Sequence, residues 1–190
     1  MKRAVILHGT DGSPSANWFP WLKQQLEQRD YAVLVPDLPQ NHTPNRQTYN
    51  DFLLEQDWDF ADNLIVGHSS GAVSILNLLM DDRFPTIKCG VLVGAWAHME
   101  ETDLDWEQFK DLFPPNGFDF AAIKKKCEKL LLVHAENDPY CPVKQAHWLA
   151  EQTNSELVLV PGGQHFSFAL NPKYKEFPKL VEILDERHLL

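Results

Sequence analysis

An open, parallel β-sheet covered by helices on both faces is the fold class that this 190-residue sequence predicts. Six short apolar runs, RAVILH, YAVLVP, NLIVGH, KCGVLVGA, KLLLVHA and ELVLVP, are rich in Val, Ile and Leu without strict alternation, the pattern of strands buried on both faces. Between and after them stand segments of helical periodicity, at 18–29, 47–56, 69–80, 118–129, 143–153 and 174–184. Such alternation implies right-handed crossovers over one sheet. With 44% hydrophobic and 23% charged residues the composition is globular, and a chain of this length buries about 70% of the surface its unfolded form exposes, so one core is expected.

Taken in order, the first run leaves through the loop HGTDGSPSANW into the helix expected at 18–29. The second is followed by an ordinary polar loop, PQNHTPNRQ at 39–47, and a second helix. The third breaks at GHSSG and resumes as an apolar helix. After the fourth run the connection, 95–128, is longer than the others and gathers Trp96, Trp106, Phe109, Phe113, Phe118 and Phe120 around PPNG, a candidate small cap. The fifth run ends in AENDPYCPV ahead of the helix at 143–153, and the sixth in PGGQHF ahead of 174–184. No composition shift, linker or internal repeat marks a second domain, so 1–190 is read as one.

The formal net charge of -10, with KKK at 124–126 as the longest basic run, argues against nucleic acid or an anionic membrane as partner. No apolar run approaches the roughly 18–20 residues of a membrane span, and AVIL near the start is too short for the apolar part of a signal peptide. Cys89, Cys127 and Cys141 form no CxxC, and the eight histidines show no HExxH, so neither a structural metal nor a disulfide framework is expected, and a reducing, cytoplasmic setting suits the chain.

In an open parallel sheet, reactive groups gather at the carboxyl ends of the strands. There the third run ends in Gly67-His68-Ser69-Ser70-Gly71, a G-x-S-x-G between a strand and a helix, the context in which a tight turn lifts a serine hydroxyl clear of the sheet. The blander reading is a turn with a helix cap at Ser69 or Ser70. A serine hydroxyl needs a base, and the base an orienting carboxylate. The fifth run offers Glu136 and Asp138, and the sixth offers His165 behind a glycine pair, in the chain order serine, acid, histidine. Asp138 is preferred because it opens the turn into the next helix. The remaining need is a pair of N–H groups for a developing oxyanion. Ser70, next after the serine, and Thr10, in the loop after the first strand, are the candidates.

HG after the first strand, GHSSGA, DPYCP and GGQHF together resemble the alpha/beta-hydrolase superfamily, and more closely its small serine hydrolases of the retinoblastoma-binding-protein-9 and YdeN group. The resemblance covers nearly the whole chain. It implies a three-layer alpha/beta-hydrolase fold with Ser69, Asp138 and His165 as a triad, hydrolysis of carboxylic esters, and no cofactor. Larger members begin with two further strands, whereas this chain starts at the strand before the oxyanion loop, so six strands in the order 2-1-3-4-5-6 are expected. Cys141 stands where the family carries valine after the acid, a small apolar group in either case.

The reaction expected is hydrolysis of a small-molecule ester of a small acyl group through an acyl-serine, with thioester or amide hydrolysis as alternatives. A non-catalytic protein-binding module on a hydrolase fold is the rival class. Against it, no Leu-x-Cys-x-Glu occurs and all three triad candidates are present. Serine at 69 also argues against a dehalogenase or epoxide hydrolase, which use a carboxylate there. Trp18, Trp96, Trp106 and Phe113 are candidates for an apolar acyl pocket, and the short 95–128 segment predicts a shallow, open one that favours short acyl chains.

Overall fold

The computed structural model describes residues 1–98 and 104–190; the expected cap segment therefore includes five residues, 99–103, outside the described ones. Six strands, β1 (Lys2–Leu7), β2 (Tyr31–Leu34), β3 (Leu64–His68), β4 (Ile87–Val93), β5 (Cys127–His134) and β6 (Glu156–Leu159), form one sheet in the order β2-β1-β3-β4-β5-β6. Every neighbouring pair is parallel.

Among the described residues, seven α-helices connect and cover the strands: α1 (Phe19–Glu27), α2 (Arg46–Leu54), α3 (Ser70–Met80), α4 (Trp106–Phe109), α5 (Phe120–Lys126), α6 (Val143–Thr153) and α7 (Pro178–Glu186). The two-residue period of a strand divides its side chains between two cores. Ala4, Ile6, Val66, Val91 and Val133 point to a layer with Phe19 and Leu22 of α1 and Leu180 and Leu184 of α7. Val5, Leu7, Ile65, Leu92 and Leu132 meet Leu53 of α2, Ile75 of α3, Ile123 of α5 and Leu149 of α6. Both faces are covered, which is why the strand sequences show no polar alternation.

Two helical expectations are corrected. The segment 118–129 stops being helical at Lys126, because Cys127 and Lys129 pair with Ile87 and Cys89 as the start of β5. Sheet pairing there overrides the helical propensity of the lysine run. The segment 174–184 is interrupted: a 3-10 turn covers Pro172–Lys175, Phe177 leaves the helical region (φ -138, ψ 66), and α7 begins at Pro178. A proline disfavours the α conformation in the residue before it and suits the first helical position itself.

Helix α3 sits at the centre, and its residues from Ser70 to Leu79 are all buried. Its first turn lies against the end of β1, where a Cβ added at Gly71 would come within 2.5 Å of the carbonyl oxygens of Leu7 and His8. A Cβ at Gly67 would meet the Gly71 carbonyl oxygen at 2.4 Å. Only hydrogen fits at either position, and the close approach brings the loop after β1 beside the turn between β3 and α3.

Candidate active site

Ser69 occupies that turn with φ 55 and ψ -124, a left-handed backbone that a residue with a Cβ rarely adopts. Its amide is fixed by donating to the Val93 carbonyl at 2.9 Å. Although Ser69 stands at the N-cap of α3, its side chain makes no capping hydrogen bond, so the bland reading of the GHSSG turn does not describe it. The Ser70 hydroxyl is occupied differently, accepting from Thr10 Oγ1 at 2.9 Å.

Asp138, in the turn after β5, divides its carboxylate between two tasks. Oδ1 accepts from the N–H groups of Tyr140 and Cys141, each at 2.9 Å, and so caps the turn. Oδ2 lies 2.8 Å from His165 Nδ1. Its side chain has no solvent exposure. Burial pushes the carboxyl pKa up, but the bond and charge of His165, with the two N–H donors, outweigh it and hold the group below the ordinary carboxylate range. With Nδ1–H donated to Asp138, the lone pair of the neutral imidazole is on Nε2. Glu136 is exposed, on the outside of the same loop.

Several further partners hold these loops in register. Gln164 N–H donates to Asn137 Oδ1 at 2.9 Å, joining the residue before His165 to the residue before Asp138. Gly94, at the end of β4 with φ +61, leaves room for the imidazole, since a Cβ there would lie 3.2 Å from His165 Cε1 and 3.3 Å from Nδ1. The only trace in the sequence is a glycine at the end of an apolar run. Buried His8 accepts from Leu38 N–H on Nε2 at 2.9 Å and thus donates from Nδ1 to the Gly9 carbonyl at 2.9 Å, fixing the exit of β1.

Thr10 follows in the same loop, tied to Ser70 through the hydroxyl bond already described. Ser70 is the first residue of α3, and first-turn amides have no intrahelical acceptor, so its N–H is available to a ligand. His68 packs beneath the turn: its Nε2 meets the His165 carbonyl at 2.7 Å, and burial, reinforced by the neighbouring His165, drops its pKa to about 3. His134 closes β5, bonded to the Cys141 carbonyl at 2.8 Å, with its pKa lowered by burial.

The model of the serine hydrolase family matches residues 4–186. The chain belongs to the serine hydrolase family. Among curated relatives, YdeN of Bacillus subtilis (strain 168) is 28% identical over 167 residues, covering 87% of this chain and 86% of YdeN. Serine hydrolase RBBP9 of Rattus norvegicus is 23% identical over 184 residues, covering 95% and 94% respectively. The crystal structure of the B. subtilis ydeN gene product superposes with a TM-score of 0.87 at 22% identity, over 98% of each chain. Est1E from Butyrivibrio proteoclasticus gives 0.69 at 18% identity, covering 99% of this chain and 87% of Est1E. The fold is that of the alpha/beta-hydrolases.

Ser69 and His165 open into one cleft of about 430 Å³, walled by the loop from Gly9 to Gly12 on one side and by Trp96, Leu104, Gln108 and Phe109 on another. Of the four aromatic pocket candidates, Trp96 alone lines this cleft. Trp18 is fully buried in the core below, its indole N–H donating to the Phe166 carbonyl at 3.0 Å and its ring packed against Phe19, His68 and Phe177. Trp106 and Phe113 wall a separate cavity of about 480 Å³ with Ala97, Pro114 and Phe118. The aromatics of the 95–128 connection divide between two cavities: Trp96 and Phe109 pack on each other beside the cleft, and Trp106 and Phe113 face the other.

Among the described residues, Asp138, Cys141 and His165 are the group whose donor atoms lie close enough, within 4.8 Å, to share a metal ion. Their chemistry does not fit one. Burial and the adjacent Asp138 charge raise the Cys141 thiol pKa well above its ordinary value, while Asp138 and His165 spend their facing atoms on each other. No described helix is long and apolar enough to cross a membrane.

Proposed function

We propose that this serine hydrolase cleaves carboxylic esters of small acyl groups through a Ser69-His165-Asp138 triad. The observation that carries the reading is the 2.8 Å bond between His165 Nδ1 and Asp138 Oδ2 at a cleft shared with a serine held in a left-handed turn. His165 Nε2 takes the Ser69 proton as Oγ bonds to the acyl carbon, and the carbonyl electron pair moves onto oxygen. The N–H groups of Thr10 and Ser70 stabilise that oxyanion. Collapse breaks the bond to the leaving oxygen, which receives the proton from Nε2; water then repeats the sequence on the acyl-serine and frees the acid. Asp138 holds the ring tautomer and stabilises the imidazolium.

The acyl group fits against the wall made by Trp96 and Phe109, which pack edge to face on one another with ring centroids 5.5 Å apart. In a cleft of about 430 Å³, short acyl chains are favoured, because a longer chain leaves methylenes in water and forgoes about 0.8 kcal/mol for each. The test has two parts. A fluorophosphonate probe should label wild-type protein and not Ser69→Ala. Across activated esters of two to twelve acyl carbons below micelle-forming concentrations, kcat/KM should peak at the short end. A rate that climbs steadily to the longest chain refutes the small-acyl reading, and failure to label refutes the triad.

A further inference from the structure

Beside the cleft lies a second groove of about 560 Å³, walled by Pro20 and Trp21 of α1 and by Phe168 and Ala169 of the segment after His165. The two adjoin: Ala16, Asn17 and Ala169 line both. Their junction is built with care. Asn17 is left-handed, with φ 48, and its Oδ1 accepts the Phe168 N–H at 2.9 Å, clamping the loop after β1 to the loop after β6. That clamp holds Phe168 at the rim of the groove with 47% of its surface exposed.

We infer that this groove receives the alcohol portion of the substrate, and that the substrate class is short-acyl esters of flat, apolar, preferably aromatic alcohols. The inference rests on the serine hydrolase mechanism above. There the leaving oxygen collects its proton from His165 Nε2, so the alcohol departs from the reacting carbon on the histidine's side. On that side the wall is the chain that immediately follows His165, running through Ser167 to Ala169 and on into the groove. The opposite wall, Trp96 and Phe109, is left to the acyl group. Trp21 and Phe168 offer ring faces and edges to a planar guest, and Gln24, Lys175 and Glu176 supply a polar outer end.

The experiment compares phenyl acetate with 2-naphthyl acetate, whose leaving groups have similar acidity, and with phenyl 2-naphthoate, which carries the extra ring on the acyl side. Wild-type protein should prefer 2-naphthyl over phenyl acetate by about tenfold in kcat/KM, chiefly through KM, and should turn over the naphthoate poorly. Phe168→Ala and Trp21→Ala should each bring the acetate ratio towards one, with 2-naphthyl acetate losing more kcat/KM than phenyl acetate, while fluorophosphonate labelling stays at the wild-type level. Phe168 is exposed and donates only its backbone N–H to Asn17, so its truncation leaves the core intact if Trp21→Ala fails to fold. A labelled protein with a ratio near one, a ratio unmoved by Phe168→Ala, or no turnover of either acetate overturns the alcohol groove and leaves the serine assignment standing. Absence of labelling overturns the serine assignment and this inference with it.

Discussion

Ser69 is held at φ 55 and ψ -124, and a backbone of that kind costs on the order of 1–3 kcal/mol in a residue with a Cβ. The usual ranking of alanine over glycine should therefore reverse at this position. Ser69→Gly should melt higher than Ser69→Ala, while both lose hydrolysis by about a million-fold if the triad acts as a unit. Thermal melts of the two variants beside one ester assay check it; equal melting with retained activity would show that the turn neither strains nor serves the serine. At Asp138 the two carboxylate oxygens have separate partners, so Asn can keep the turn cap on Oδ1 yet presents the wrong partner to Nδ1–H. Asp138→Asn should cost roughly ten-thousand-fold in kcat and Glu136→Gln little, as assayed on one substrate. The reverse order would move the orienting role to Glu136.

At the scale of elements, the end of β4 matters as much as the three strand ends that bear Ser69, Asp138 and His165. Gly94→Ala must hold a Cβ at φ +61 and press on a ring only 3.2 Å away. It should lose on the order of 1 kcal/mol of stability and about a hundredfold in kcat, because the imidazole is pushed out of line. Denaturant melts and kinetics on the same preparation separate the two effects; an unchanged kcat would show that the ring has room. Gly94 illustrates where the sequence stops being legible. The strands could be read because burial on both faces writes Val, Ile and Leu without alternation, and α6 could be read to its ends, Val143–Thr153. GHSSG, DPYCP and GGQHF mark their turns because tight backbone and a reactive side chain sit together. Asn137, which meets Gln164 from another strand end, carries no local signature, and neither does the choice of Trp96 over Trp106 and Phe113 as cleft wall. Those depend on how distant loops settle against one another, and periodicity is silent about that. The overlong helical reading of 118–129 failed for a related reason: pairing with β4 is a tertiary fact.

For the whole molecule, the buried histidines and Asp138 together make acid the weak side. His68 has a folded pKa of about 3 against an ordinary 6.5, so between those values the unfolded chain binds a proton that the folded chain refuses. Its contribution to stability is complete above about pH 6.5 and falls as pH drops towards 3, by up to about 5 kcal/mol at ~1.4 kcal/mol per unit. His134, lowered in the same direction, adds to the slope, and the stabilisation from the depressed Asp138 carboxyl is lost as pH falls through its folded pKa. Urea midpoints between pH 7 and 4 should fall steeply in wild type and less steeply in His68→Gln; parallel slopes would remove His68 as a source. The order of the strand ends has a different consequence, one for the chain as it is made. The sheet opens with the pairing of Lys2 with Tyr31, and the proposed nucleophile, orienting acid and base follow at 69, 138 and 165. A ribosome-bound chain that has emerged through α6 carries the serine turn and Asp138 without His165, so under the proposed mechanism it lacks the base that an acyl-serine needs. Its Trp18 indole also waits for Phe166, 148 residues later. The segment that carries His165 and Phe166 thus closes the core over Trp18 and supplies the proposed base in one event, and on the proposed mechanism a chain made only as far as α6 is chemically silent.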